Sequence, residues 1–525
     1  MTNKNQNPRR LQVTGTDQHW SAVAAQQVVA AFPDQSVFTC AAGISPSGIV
    51  HFGNFRDVMT SYMVVNALRA LGKNARFIFS WDDFDRFRKV PKGVDDSFKQ
   101  YVGMPLTAVP DPLGELPSYA RRFESQFEAA MRELGIELEY RYQTEQYTSG
   151  RYDTLILEAL ANRRRIADVL LGFMSDKGKA AKNVDEAEYR ASFYPVSVYS
   201  RFTGKDSTKV LSFNEESGML TYLCAESGKT DTIDLTQDRI VKLAWKVDWP
   251  MRWCVEQVVF EPGGKDHAAP GSSYDVSSVI AREIFHHEPP LFVGYEFVGL
   301  PMVGKMSGSS GDAVSPGQLL EIYEPALLRW LYSRKAPHQA FQLAFDSEIF
   351  RQYDEFDREF PPVAGFLPPI PFRQAVAFGQ IVQWHAEKVA EMCEPLGMNY
   401  DPDSVAVRLA KARAWLETYN PEAMLRLNET VNTAYASTMS PQAADYVRQL
   451  RAALVAGTAR TVAEIELLAY TIPKDETFDD KTNKVRQRTF FKDVYNLLVG
   501  SDTGPRLSTF LWAVDRNRVL ELLTI

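Results

Sequence analysis

Apolar and polar positions along the chain keep two rhythms, and the switches between them mark out its elements. Val37, Phe38, Thr39 and Cys40 form a short apolar run of strand type. It enters residues 41–48, rich in small residues and Pro, where a turn is predicted. Phe55, Val58, Tyr62, Val65 and Leu68 then recur every three or four residues, which predicts a helix, with Gly72 in the usual stop position. Ala75–Trp81 reads as a second buried strand, so this stretch folds as a right-handed βαβ unit. Trp20, Val23, Ala24, Val28 and Val29 predict an amphipathic helix ahead of it. Beyond it, Tyr119, Phe123, Phe127, Met131 and Leu134 predict a helix stopping at Gly135, and residues 151–174 predict another.

Residues 190–240 change to short β-type runs with Gly204, Gly218 and Gly228 between them. Strand-like runs return at 258–260 and 291–300, and residues 317–336 read as helix. Pro361, Pro362, Pro368, Pro369 and Pro371 mark a boundary. After it the chain reads as helix upon helix, punctuated by Pro395, Pro402, Pro421, Pro441 and Pro473. The expected fold is α/β: a Rossmann-type parallel-sheet catalytic domain with helical and small β insertions, followed by an all-α C-terminal domain. The expected divisions are a helical extension (1–35), the first half of the sheet domain (36–110) and an insertion (111–240). The second half (241–312), a connecting region (313–372) and the helical domain (373–525) follow.

Composition narrows the class. An apolar share of 45% and a charged share of 24% suit a globular protein of several domains. No apolar run approaches the length of a membrane span, and residues 1–10 lack the apolar stretch of a signal peptide. Cys40, Cys224, Cys254 and Cys393 show no pairing pattern, which fits a reducing compartment, so a cytoplasmic protein is expected. The net charge of −8 argues against a nucleic-acid partner, but the deficit is local. Residues 401–525 carry 16 basic and 16 acidic side chains, against 42 and 50 in residues 1–400. A neutral C-terminal part can still present a basic face.

Candidate chemistry gathers around the first βαβ unit. Gly43, Gly48 and Gly53 let backbone come close to a ligand at a helix start, where unpaired N–H groups and the positive dipole end suit a phosphate. Asp82, Asp83 and Asp85 follow the second strand, where open α/β sheets bind ligands. Arg163, Arg164 and Arg165 read as a solvated helix face, with contact to nucleic acid the alternative.

Pro46-Ser47-Gly48, His51, Gly53 and Asn54, with Lys305-Met306-Ser307-Gly308-Ser309 about 250 residues downstream, resemble the two signatures of class I aminoacyl-tRNA synthetases. The whole chain resembles the lysyl type of class I, which is close to the glutamyl enzyme, most densely at 43–91, 239–275 and 301–335. The resemblance implies ATP-dependent ligation of L-lysine to lysine tRNA through a lysyl-adenylate, with release of AMP and pyrophosphate. It makes 313–372 a stem-contact region and 373–525 an anticodon-binding domain. Catalytic roles fall to His51, Asn54 and Lys305, and Mg2+ bridges the phosphates. ATP contacts fall to Ser47, Gly48, His51, Gly53, Asn54, Gly264, Asp266, His267, Lys305, Met306 and Ser307. Lysine contacts fall to Gly43, Ser45, Asp82, Trp245, Asp248 and Trp249, and tRNA contacts to Arg486, Arg488, Phe490 and Phe491. A monomer is expected, with no membrane partner.

The choice of amino acid follows from charge. Two arginines that hold the substrate carboxylate in the glutamyl enzyme are matched here by Ala41 and Gly263, while the acidic segment is kept as Asp82-Asp83-Phe84-Asp85. A site without those cations and with its carboxylates suits a cationic side chain. Relatives also carry paired Cys-x-x-Cys knuckles where this chain has Ser197, Ser200, Cys224 and Ser227, so no structural zinc is expected. Asn54 and Gly308 depart from the common pattern and leave one alternative open, a tRNA-binding or regulatory paralogue with weak or altered activity.

Overall fold

A computed structural model describes residues 9–11, 13, 17–181, 183–299, 313–394 and 397–525. The chain forms two compact units, one running to Leu320 and including Leu328–Leu343, the other made of Glu321–Leu327 and Ala344–Ile525.

The first unit is built on a parallel sheet of four strands, β1 (Phe38–Ile44), β2 (Ala75–Trp81), β3 (Glu139–Tyr142) and, after the insertion, Val258–Phe260. Their order is β3-β2-β1 and then Val258–Phe260. Parallel strands are covered on both faces and need continuous apolar runs. Cys40, Ala42, Phe79 and Trp81 are accordingly fully enclosed. β1 corrects the expectation of a turn from residue 41, because Ala41, Ala42 and Gly43 continue the strand in register with Ile78, Phe79 and Ser80. Small residues are needed there for packing. A Cβ on Gly43 would lie 3.1 Å from the Ser80 carbonyl oxygen, and Ser61 of the following helix donates to the Ala41 carbonyl at 2.7 Å.

That helix, Phe52–Ala70, is buried on more than its apolar stripe. Arg56, 2% exposed, donates to the carbonyls of Tyr332 and Ala336 and so ties the helix to the end of the Pro325–Ser333 helix. Two expected long helices are interrupted. Residues 151–174 divide at Asn162 into Asp153–Ala161 and Arg163–Phe173, with the Asn162 amide bonded back to the Glu158 carbonyl. Residues 317–336 divide before Pro325 into Pro316–Ile322 and Pro325–Ser333. The β insertion holds an antiparallel sheet of Thr208–Asn214, Met219–Cys224 and Thr230–Asp234, beside a paired Val196–Val198 and Val241–Leu243. Of the strand expected at 291–300, two-residue strands Gly294–Tyr295 and Val298–Gly299 are formed.

Among the described residues the second unit has helices and no strand. Pro402 and Pro441 do more than separate helices there. Each occupies a first-turn position, where its missing N–H costs nothing, behind the N-caps Asp401 and Ser440. The unit closes around Arg408, which is 2% exposed. Its guanidinium donates to both Asp357 oxygens at 2.6 and 2.7 Å, to Glu324 at 2.7 Å and to the Ile370 carbonyl at 2.7 Å. Removing one partner of such a buried set leaves the others uncompensated. Arg408→Ala should therefore destabilise this unit by about 3–5 kcal/mol. Calorimetry of the full chain should show one transition moved to lower temperature, and an unmoved profile would refute the assignment.

Candidate functional site

At the carboxyl ends of the parallel strands lies a cavity of about 460 Å³. Its opening turn comes from β1: Gly43 and Ser45 line it, then Ser47 and Gly48, then His51 and Asn54 at the start of the Phe52–Ala70 helix. His51 is the N-cap, and its Nδ1 accepts the Gly53 N–H at 3.1 Å. The Nε2 side is thereby left as the N–H face of the ring. Burial lowers the His51 pKa and keeps the imidazole neutral at pH 7. A neutral donor beside free helix N–H groups is well suited to phosphate oxygens.

The opposite wall carries charge. Trp245, Trp249 and Arg252 project from the Trp245–Glu256 helix, and Glu261, Gly263 and Gly264 follow the Val258–Phe260 strand. Arg252 reaches Asp82 at 2.6 Å with one nitrogen and Asp248 at 3.0 Å with the other. Lys242 adds contacts to Asp248 at 3.5 Å and Asp85 at 3.1 Å, and the Tyr147 hydroxyl donates to Asp248. Burial alone would raise the Asp248 pKa, but Arg252 and Lys242 hold the carboxyl below its usual range. Asp82 stays raised, by burial and by Asp85 and Asp248, despite Arg252. Glu261 is raised by burial against the pull of Arg252, and Trp253 donates to it at 2.6 Å. Asp57 is pushed well up by burial and by Glu261, although the Gly43 N–H and the Tyr295 hydroxyl lean the other way. Asp82, Asp85 and Asp248 thus share the two cations Arg252 and Lys242, while Asp57, Asp82 and Glu261 line the cavity with pKa values raised by burial.

The expected residues divide by position. Gly43, Ser45, Ser47, Gly48, His51, Asn54, Asp82, Trp245, Trp249, Gly264 and His267 are brought together around the cavity. Gly53 supports it from behind through the His51 ring. Asp266 sits beside His267 on the short Lys265–Ala268 helix but does not line the cavity. Asp248 is fully buried and reaches the cavity only through Arg252. Asp83 turns away to accept the Thr144 N–H at 2.7 Å, and burial pushes its pKa up to about 7. Lys305, Met306 and Ser307 lie outside the described residues. In the second unit, Phe490 is core and Phe491 packs on Tyr470, while Arg486 donates to the Pro473 carbonyl. Arg488 is the exposed member of that set.

Arg252, Glu261, Asp57 and Tyr295 were not among the expected residues. Arg252 stands four positions after Asp248, a spacing that pairs charges along a helix and was the available signal. Its presence corrects the view that the site has shed its cations. Gly263 nevertheless offers no room for one, since a Cβ there would meet the Phe292 ring at 2.8 Å. In the insertion, Cys224 is buried, and hydrogen bonds from Ser200 and Ser227 bring its thiol pKa down to about 6.

The family described as tRNA synthetases class I (K) matches residues 18–362. A lysine–tRNA ligase of Streptomyces coelicolor is 36% identical, over 96% of this chain and 98% of that one. Those of Treponema pallidum and Pyrococcus furiosus are 33% and 32% identical, each over 97% of this chain and 98% and 99% of theirs.

Gly53 offers a test of the His51 geometry. A methyl at this position would stand 2.9 Å from both Nδ1 and Cε1 of His51 and must displace the ring. In Gly53→Ala the turnover of ATP–pyrophosphate exchange should fall about tenfold or more, with the melting temperature within about 2 °C of the parent. Unchanged turnover would show that the ring position does not matter.

Proposed function

The chain belongs to the class I lysyl-tRNA synthetases, and we propose from that premise that the cavity joins lysine to ATP before passing it to tRNA. The activity is that of a class I lysine–tRNA ligase. The observation that carries the choice of amino acid is the excess of carboxylates facing the cavity beside a phosphate-suited helix start. Lysine brings two ammonium groups. Asp82 takes the α-ammonium, and the acidic, aromatic wall of Trp245 and Trp249 receives the side chain.

The lysine carboxylate attacks the α-phosphorus of ATP, the bond to the β-phosphate bridge breaks, and pyrophosphate leaves with the electron pair. The adenylate so formed is held by the same groups. A terminal ribose hydroxyl of tRNA then attacks its carbonyl carbon. The ester C–O bond forms, the bond from that carbon to the phosphate oxygen breaks, and AMP departs carrying the hydroxyl proton. Neither step needs a protein nucleophile, so positioning and charge stabilisation supply the catalysis. His51 donates to the phosphates through its free N–H and Asn54 stands beside it, while His267 meets the nucleoside and Lys305 the leaving pyrophosphate. Mg2+ would neutralise phosphate charge. Among the described residues no group of three or more His, Cys, Asp or Glu could hold a metal ion.

The β insertion is read as metal-free, with Ser197, Ser200 and Ser227 standing where thiolates would be needed. No described helix is long and apolar enough to cross a membrane, and a cytoplasmic setting suits the reaction. The exposed Arg488 remains the best placed of the expected tRNA contacts in the second unit.

ATP–pyrophosphate exchange across a panel of amino acids, with and without tRNA, tests this. Lysine alone should support exchange; glutamate in its place, or no exchange in either condition, would overturn the assignment. Within that assay, Asp82→Asn should lower kcat/KM for lysine more than about a hundredfold, the equivalent of about 3 kcal/mol or more for a desolvated pair. The ATP KM should hardly change. A silent substitution would return Asp82 to a purely structural partner of Arg252.

A further inference from the structure

Asp83 is the most enclosed carboxylate of the segment after β2, 3% exposed against 8% for Asp82, and it does not line the cavity. Its Oδ1 accepts the Thr144 N–H at 2.7 Å, in the first turn of the Gln143–Thr148 helix. Tyr142, at the N-cap position of that helix, makes no side-chain bond there, so a carboxylate from another segment serves in its place. The Asp83 carbonyl accepts the Thr107 N–H at 3.3 Å, and the Thr107 and Thr144 hydroxyls lie 3.0 Å apart. The helix so fixed carries Tyr147, whose hydroxyl donates to Asp248. Asp248 pairs with Arg252, and Arg252 with Asp82. The path returns to its start there, because Asp82 and Asp83 are neighbours in the chain.

We propose that Asp83 is a positioning residue for lysine: by bracing the Gln143–Thr148 helix it holds Tyr147, Asp248 and Arg252 so that the Asp82 carboxylate meets the α-ammonium. The proposal rests on the reading of Asp82 as that ammonium's partner. Asp83 touches no substrate and acts through the closed circuit alone. Loss of the brace leaves the Thr144 N–H without its acceptor and lets Asp82 shift, and small misplacements of a binding group are costly. Charge sets the strength of the brace. Burial pushes the Asp83 carboxyl up to about 7, Glu124 and Asp82 add to this, and the bonds from Thr144 oppose it. Glu124 faces it from the Tyr119–Glu133 helix and is itself raised to about 7 by burial, against the pull of Arg121. Glu128 on that helix and Glu145 on the helix of Thr144 add negative charge around Glu124. An ionised acceptor makes the stronger bond to an N–H. The brace therefore tightens as pH rises through about 7 and slackens below it.

Lysine-dependent ATP–pyrophosphate exchange tests this in wild type, Asp83→Ala, Asp83→Asn, Tyr147→Phe and the double variant of Asp83→Ala with Tyr147→Phe. Near pH 8, Asp83→Ala should raise the lysine KM about tenfold, with the ATP KM moving less than about twofold. Asn keeps the acceptor and the shape without the charge. Asp83→Asn should therefore match wild type near pH 6 and miss most of the roughly threefold fall in lysine KM that wild type shows by about pH 8. Asp57, Asp82 and Glu261, whose carboxyls are raised as well, are present in both proteins and do not produce that difference. Tyr147→Phe cuts the same path further along, so it should also raise the lysine KM, and the double variant should do no more than about the larger single change. If Asp83→Ala does not fold, the pH profile of the isosteric Asp83→Asn decides. An unchanged lysine KM in Asp83→Ala, an equal rise in both KM values, multiplying effects in the double variant, or one pH profile for wild type and Asp83→Asn would each overturn the proposal. A silent Asp82→Asn in the same assay would instead sink the reading of Asp82 on which it rests.

Discussion

The geometry of the site depends on one guanidinium held between two carboxylates. Arg252 spans Asp82, which follows β2, and Asp248, one turn back on its own helix. It thereby fixes the Trp245–Glu256 helix against the end of the sheet. Pairing of this kind is weak evidence for stability, since desolvating three charges costs about what their attraction returns. Its value lies in placement. Trp245 and Trp249 stack at 5.1 Å on the same helix, and Arg252 lies over the Trp245 ring at 5.3 Å, so the aromatic wall is set by the ion pair. Asp248 needs Lys242 and Tyr147 as well, which carries the constraint into the insertion.

What the sequence discloses and what it hides divide along chain separation. His51, Gly53 and Asn54 are legible because cap, close approach and helix start are written in consecutive residues. The acidic segment after β2 is legible for the same reason, but not the division of labour within it. Asp82 facing the cavity, Asp83 turned to Thr144 and Asp85 given to Lys242 are decided by partners about 60 to 170 residues away. Arg252 and Glu261 belong to the same hidden class. Residues 41–43 read as turn because small residues signal loops in isolation, whereas here they let a central strand pack closely. Likewise Phe490 and Arg486 looked like surface chemistry in an alternating basic and aromatic run, yet one is core and the other braces a loop.

In the proposed reading a single cavity holds a polyanionic nucleotide and a dicationic amino acid, and the two demands conflict within one site. The fold resolves this by drawing each end from different elements. The end proposed for the nucleotide is made of backbone N–H groups and a neutral imidazole at a helix start, which favour phosphate without adding a fixed positive side chain near the subsite proposed for lysine. The end proposed for lysine carries Asp82 after β2, Asp57 of the Phe52–Ala70 helix and Glu261 after the Val258–Phe260 strand, and all three hold protons more tightly than usual. Such crowding is electrostatic strain that an arriving ammonium relieves and a carboxylate would worsen. Discrimination against glutamate therefore does not need a complete absence of cations. It needs Arg252 to be spent on Asp82 and Asp248, so that the carboxyl groups left over, Asp57 and Glu261, give up their protons more readily beside an arriving ammonium and less readily beside a carboxylate.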